Sequence, residues 1–347
     1  MRISVTCADG EYEQVRKLLD KKPPQRRKSF DNSDSLRLRA TWMYYSHGRT
    51  QREIAERLGV SRTTVIRLLE EARQRHEIKF WIEEAEERCV QLGIQLEAQL
   101  GLEEAIVIPA GDNHDEISDS VGLALGKYLS NAVSDHMTIG VGWGRTLTAS
   151  LVSFRSNMRQ GVKIMSLLGG SVEPIPPNPV EYCWRLGSTM GADCYMFPSP
   201  LIVDCPETKN NLINHCGLGT IFEMAKNLDM AVLSVGDIGP DGTSLARRLM
   251  SQSDLDELIA AGCVADVLCN FINASGQDII HPIDDRVMSV DLRALENCRH
   301  KILATGGHHR DRAIIAAVKR LGIHTLVTDQ SAAEAILQRQ TGAKADL

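Results

Sequence analysis

Thr50-Gln51-Arg52-Glu53-Ile54-Ala55-Glu56-Arg57-Leu58-Gly59-Val60-Ser61-Arg62-Thr63-Thr64-Val65-Ile66-Arg67-Leu68-Leu69 has one economical reading. Thr50 caps a short helix, Gln51 to Leu58, and Glu53 three residues on completes a capping box that satisfies free N–H groups at both positions. Gly59 supplies a tight turn at positive φ. Ser61 caps a following helix, Arg62 to about Arg75. Ile54, Ala55 and Leu58 face a small core, Val60 plugs the corner, and Val65 with Leu68 or Leu69 seats the later helix. A preceding helix, capped by Asp34 or Ser35, runs to about Ser46 and draws apolar surface from Leu36, Leu38, Trp42, Met43 and Tyr45. His47-Gly48 stops it. The pattern predicts an all-α helix-turn-helix.

The outward face near the start of the later helix shows Ser61, Arg62, Thr63, Thr64 and Arg67. Arg bridges guanine O6 and N7, Thr bonds a base edge or touches a thymine methyl, and Ser takes a phosphate. Thr50 and Gln51, at the preceding helix start, suit backbone phosphates. A helix-turn-helix also serves as a protein-interaction module. The combination of capping box, small Ala55, Gly59 turn, Ser61 cap and basic face favours duplex DNA.

Outward from this head, charge divides the chain. Residues 1–80 carry a net +7 and the remainder −13 within a total of −6. A basic segment ahead of an acidic body is the electrostatic layout of a DNA reader joined to a separate domain. Four segments follow: a basic extension (1–33) with Lys21-Lys22-Pro23-Pro24-Gln25-Arg26-Arg27-Lys28, the head (34–82), a linker or oligomerisation helix (83–102), and a body (103–347). Ile78 to Ile82 is a short strand that would make a small wing. In the helix beyond it, Val90, Leu92, Ile94, Leu96 and Leu100 suit either pairing with a second copy or packing on the same chain.

From Glu103 on, short β-rich runs alternate with helices. The runs are Ala105–Ile108, Thr138–Val141, Lys163–Leu168, Cys194–Phe197, Met230–Val235, Asp266–Ile272, Lys301–Ala304 and Thr325–Val327. That alternation predicts a largely parallel sheet with helices on both faces, whose strand ends bind ligand. Thr138-Ile139-Gly140-Val141-Gly142-Trp143-Gly144-Arg145-Thr146-Leu147 reads as strand, glycine loop, helix. Its Gly142 and Gly144 let backbone N–H groups approach an anion or sugar hydroxyl, and Arg145 and Thr146 add donors. It is neither a Walker sequence nor the dinucleotide fingerprint. Gly170, Asp237, Asp266, Asn270 and Arg310 fall at other strand ends. Carboxylates there accept from hydroxyls, and Arg310 holds phosphate or carboxylate by a fork of donors.

Other chemistry finds little support. There is no HExxH, no GxSxG and no clear nucleophile–base pair, so no catalytic residue is assigned. His308-His309 is a poor metal pair, because adjacent side chains diverge and no third ligand is evident. No metal or cofactor is expected. The nine cysteines, odd in number and without a CxxC pair, fit reduced thiols of a cytoplasmic protein. The eleven-residue spacing of Cys183, Cys194, Cys205 and Cys216 is read as coincidence. No apolar run approaches the ~18 residues of a membrane span, and no secretory signal is visible.

Taken in order, the marks of the body resemble a known family. They are Ile139 to Leu147, Leu168-Gly169-Gly170, Ser234-Val235-Gly236-Asp237-Ile238-Gly239, Gly262 to Leu268, Ala304-Thr305-Gly306-Gly307 and Leu326-Val327-Thr328-Asp329. With the head, they make the chain resemble SorC/DeoR-like bacterial transcriptional regulators of sugar catabolism over about Ser35 to Leu337. The resemblance implies a Rossmann-like α/β ligand domain shaped like ribose-5-phosphate isomerase and glucosamine-6-phosphate deaminase, sensing a sugar, polyol or sugar phosphate without doing chemistry. It implies dimers or tetramers on operator DNA. By position, Gly144, Arg145 and Thr146 would hold the phosphate or sugar end and Asp266 a hydroxyl. Arg310 stands where the family often carries Lys, which keeps the charge and changes its geometry. The rival reading is a sugar-phosphate isomerase or deaminase with a fused DNA-binding head.

Overall fold

The Thr50 backbone N–H donates to Glu53 Oε2 at 2.8 Å, and the Glu53 N–H donates back to Thr50 Oγ1 at 3.3 Å. That reciprocal cap opens a helix at the position the sequence specifies. The computed structural model describes residues 33–45, 47–75, 84–155, 159–171, 178–238 and 250–345. The Lys21–Lys28 arm, the Ile78–Ile82 wing and Gly239 lie outside the described residues. Two compact units divide at residue 82.

In the first unit, α1 (Ser33–Tyr45), α2 (Gln51–Leu58) and α3 (Arg62–Gln74) enclose Ala40, Met43, Ile54, Ala55, Val65, Leu68 and Leu69. Gly59 caps α2 at φ 68°, and Ser61 Oγ caps α3 by accepting from the Thr64 N–H at 3.0 Å. Each such cap contributes about 1 kcal/mol. The apolar face of α1 needs correction. Leu38, Trp42 and Tyr45 are exposed (51%, 46% and 39%), while Ala40 and the charged Arg37 are buried. Arg37 reaches Asp34 at 2.8 Å and Glu71 at 3.4 Å, so its buried charge is paired and α1 is tied to α3.

The second unit opens with α4 (Glu84–Leu100), which buries Leu92 and Leu96. Among the described residues seven parallel strands follow: β1 (Glu104–Ile108), β2 (Thr138–Val141), β3 (Lys163–Ser166), β4 (Asp193–Tyr195), β5 (Met230–Leu233), β9 (His300–Ala304) and β10 (Thr325–Asp329). Their order across the sheet is β1-β10-β9-β5-β2-β3-β4. Helices α5 (His114–Ala132), α6 (Arg145–Ser153), α7 (Pro179–Met190), α8 (Pro206–His215), α9 (Gly219–Ala225), α10 (Gln252–Ala260) and α11 (Asp311–Leu321) lie in the connections, and α12 (Gln330–Ala345) follows the last strand. α4 packs on β1 and α12 of its own unit, leaving Val90 and Ile94 exposed. α5 and α6 pack unusually closely. A Cβ at Gly126 would sit 2.1 Å from the Ser150 carbonyl, so only glycine permits the approach.

The expected single run Asp266–Ile272 is instead a hairpin. β6 (Gly236–Asp237), β7 (Cys263–Val267) and β8 (Asn270–Asn273) form a small antiparallel sheet beside the parallel one. Its turn residues, Leu268 and Cys269, both adopt positive φ (55° and 57°). Such turns normally recruit Asn or Gly, so the sequence carries no turn signal there. The Asn270 amide pays the strain instead by donating to the carbonyls of Val267, Leu268 and Val290 at 3.1–3.2 Å.

Candidate functional site

β2 has β5 on one side and β3 on the other. The chain leaves β2 toward β3 and β4, then leaves β5 in the opposite direction toward β9 and β10. Their carboxyl ends therefore diverge, and this reversal is where open α/β sheets leave a crevice. A small cavity of about 40 Å³, opening to solvent, occupies it, lined by Ser118, Trp143, Gly144, Arg145, Thr146, Ser234, Val235, Gly236, Asp266 and Arg310.

Gly144 opens α6 at φ 138° with no side chain capping the helix, so the first N–H groups of α6 begin at the cavity. Ser118 and Thr146 are only 4% and 3% exposed and both line the cavity. Arg145 meets Asp115 at 2.7 Å. Arg310 is buried and donates to Thr305 Oγ1 at 2.7 Å, to the Val235 carbonyl at 3.4 Å and to His114 Nε2 at 3.3 Å. Burial pulls the Arg310 pKa below its ordinary value, and the Asp237 carboxylate opposes that pull. The arrangement offers two cations, a buried carboxylate, hydroxyls and an indole ring to a polar ligand. Among the described residues no cluster could hold a metal ion.

The structure brings Gly144, Arg145, Thr146, Asp266 and Arg310 together around the cavity. Asp237 stands behind the lining, facing Arg310. Gly142 does not line it; a Cβ there would touch the Leu268 side chain at 3.0 Å. Gly170 is bridged to Pro200 and packs near Asn178, away from the lining. Asn270 is occupied with the three carbonyls of the hairpin. Sequence reasoning missed His114 and Ser118, which reach the site from α5; the Asn113 cap just before them was the available signal.

In the head, Ser61, Arg62, Thr63 and Arg67 are exposed at the start of α3, with Thr50 exposed and Gln51 half-buried at the start of α2. Several are already engaged. Ser61 Oγ and Thr64 Oγ1 are 2.8 Å apart, Arg62 Nε donates to Gln51 Oε1 at 3.4 Å, and Arg67 lies 3.8 Å from Glu71. A concave surface joins Thr50, Gln51 and Arg62 with Tyr44, Arg49 and Arg52, which the sequence reading had not selected.

The two units thus define a helix-turn-helix head and a parallel α/β ligand domain. The family model described as "Putative sugar-binding domain" matches residues 84–338, and "Sigma-70, region 4" matches residues 41–75. The erythritol catabolism regulatory protein EryD of Brucella abortus (strain 2308) is 27% identical, covering 90% of this chain and 99% of that protein. The transcriptional regulator LsrR of Enterobacter sp. (strain 638) is 30% identical, covering 88% and 93%. The crystal structure of the full-length sorbitol operon regulator SorC from Klebsiella pneumoniae superposes with a TM-score of 0.67 at 23% identity, covering 88% of this chain and 99% of that one. The chain belongs to the SorC/DeoR-type family of sugar-responsive transcriptional regulators. These relatives are regulators, which favours that reading over a sugar-phosphate enzyme.

Proposed function

We propose that the chain binds operator DNA through Thr50, Gln51, Ser61, Arg62, Thr63, Thr64 and Arg67, and that a sugar, polyol or sugar phosphate in the cavity modulates that binding. Arg145, Thr146 and the start of α6 hold the ligand's phosphate or terminal hydroxyl, Asp266 accepts from a hydroxyl, and Arg310 supplies a second cation. Gly142, Gly170, Asp237 and Asn270 act from behind by shaping the walls. The body takes the Rossmann-like form of ribose-5-phosphate isomerase and glucosamine-6-phosphate deaminase, a reading supported by the parallel sheet. The functional boundaries are an extension (1–33), the head (34–82), a connecting helix (83–102) and the body (103–347). The working unit is a dimer or tetramer, because operator half-sites are read by paired heads.

One observation carries this reading. Two buried hydroxyl-bearing residues, Ser118 and Thr146, and two arginines converge on a cavity at the sheet's crossover, in a chain that also carries a basic helix-turn-helix. A hundredfold change in DNA affinity requires only ~2.7 kcal/mol of differential ligand affinity between two states.

The test is a gel shift with the upstream region of the chain's own gene. Binding weakens as salt rises. Arg62→Ala with Arg67→Ala abolishes it while ligand-induced thermal stabilisation survives. Retained sequence-specific binding in that double variant refutes the assignment of α3. Turnover of pentose or hexosamine phosphates would refute the regulator in favour of the enzyme.

A further inference from the structure

The N-terminal turn of α5 touches both cations of the cavity. Asn113 caps it, accepting from the Asp115 and Glu116 N–H groups at 3.1 and 3.0 Å. The cap presents His114 and Asp115 at the first helical positions. Asp115 holds Arg145 at 2.7 Å, and His114 Nε2 meets an Arg310 N–H at 3.3 Å. Arginine only donates, so Nε2 must be the acceptor and the ring must be neutral with its hydrogen on Nδ1. Nδ1 is itself buried and has no hydrogen-bond partner among the described residues. A buried donor without an acceptor costs about 1–3 kcal/mol. This contact between two basic side chains is therefore a poor resting place for His114.

We infer that His114 is an effector-recognition residue, and that the group it recognises is an anion bound together with one proton. The inference rests on the effector cavity proposed above. The charged groups facing His114 are Arg310 and His309 from the turn after β9, Arg145 from α6 and Asp115 from its own helix. An anion between Arg145 and Arg310 neutralises the two cations that oppose a charge on the ring. A proton from solvent then adds to Nε2, forming one N–H bond and breaking none in the protein. Nε2 ceases to accept, the Arg310 N–H turns to the anion, and the imidazolium Nε2–H donates to it as well. In the free protein, burial together with Arg310 and Arg145 holds the His114 pKa down at about 4, so at neutral pH the site is poised without that proton. A neutral polyol offers no charge to offset the cations and takes up no proton.

The probe is sulfate, which stays doubly ionised throughout the range and removes the ligand's own titration from the result. Histidine-ring carbon resonances of the full chain are followed between pH 4 and 8 with and without saturating sulfate, and His114→Gln assigns the signal. Sulfate should raise the His114 pKa from about 4 to roughly 6, which corresponds to about fourfold tighter sulfate binding at pH 5.5 than at pH 8. His114→Gln should lose that pH dependence. Calorimetry of the unaltered chain in two buffers of different ionisation enthalpy should report net proton uptake at pH 5.5, which keeps the test independent of any variant. Sulfate binding with no proton uptake and an unmoved His114 signal overturns the inference. Thermal stabilisation by a neutral polyol with no sulfate binding also overturns it, while the sugar-responsive reading stands. If no sulfate, polyol or phosphorylated polyol binds, both fall.

Discussion

Asp329 Oδ1 accepts from the Gly307 backbone N–H at 2.7 Å, so the end of β10 pins the loop that carries Arg310. The Asp329 side chain is fully buried, and its second oxygen accepts from the Ser331 N–H and hydroxyl at 3.0 and 2.5 Å. The loop lies directly on the carboxylate, since a Cβ at Gly306 would sit 2.6 Å from Oδ1. Asp329→Ala should lower the unfolding free energy by about 2–4 kcal/mol, because it leaves several buried donors without acceptors. Asp329→Asn should lose less. Urea denaturation measures both, and an alanine variant as stable as the parent chain refutes this role.

Asn270 invites a prediction that separates structure from contact. Its amide braces a turn of two non-glycine residues at positive φ. Asn270→Ala should cost about 1–3 kcal/mol of stability. It should weaken effector binding only as far as the hairpin shifts Asp266. Calorimetric titration beside thermal unfolding resolves the two. Tenfold loss of binding at unchanged stability would make Asn270 a direct contact.

The contrast between these residues shows what the sequence could reveal. Thr50, Glu53, Gly59 and Ser61 interact within a few positions of one another, so local chemistry alone placed α2, its turn and the start of α3. Strands β1, β2, β5 and β10 were legible because each is a short apolar run between polar ends. The site was harder. Arg145 and Arg310 are far apart in the chain, and they meet because β2 and β9, which they follow, flank β5 at the sheet's reversal. Helices α8 and α12 went unread. α8 buries no residue and so writes no apolar stripe. Leu38, Trp42 and Tyr45 misled for the opposite reason: apolar at helical spacing, they face outward while Arg37 goes in.

Thr50→Ala should loosen α2 specifically. Loss of the capping box removes about 1 kcal/mol, so amide exchange at Ile54 to Leu58 should quicken by roughly fivefold while that of the second unit stays unchanged. Hydrogen-exchange mass spectrometry reads both. Unchanged exchange in α2 contradicts the cap's contribution.

Acid should weaken the fold in a defined window. Burial depresses the pKa values of His114, His309 and His324 below 6.5, His114 to about 4. The unfolded chain therefore takes up protons below about pH 6.5 that the folded chain still refuses. Stability is full above that pH and declines as pH falls toward 4. The melting temperature should drop between pH 7 and 4.5, and His114→Gln should flatten part of the slope. A flat profile in the parent chain contradicts the assignment.

Ligand in the cavity should govern DNA binding by the head. Fluorescence anisotropy of the chain's upstream DNA should be recorded with and without whichever polyol or sugar phosphate raises the melting temperature, for the parent chain and for Arg310→Met. The parent chain's DNA affinity should change at least tenfold with the ligand, and Arg310→Met should bind the same DNA equally well while ignoring the ligand. An Arg310→Met chain that still responds in full, or a parent chain whose DNA affinity is indifferent to a ligand it binds, would contradict the account.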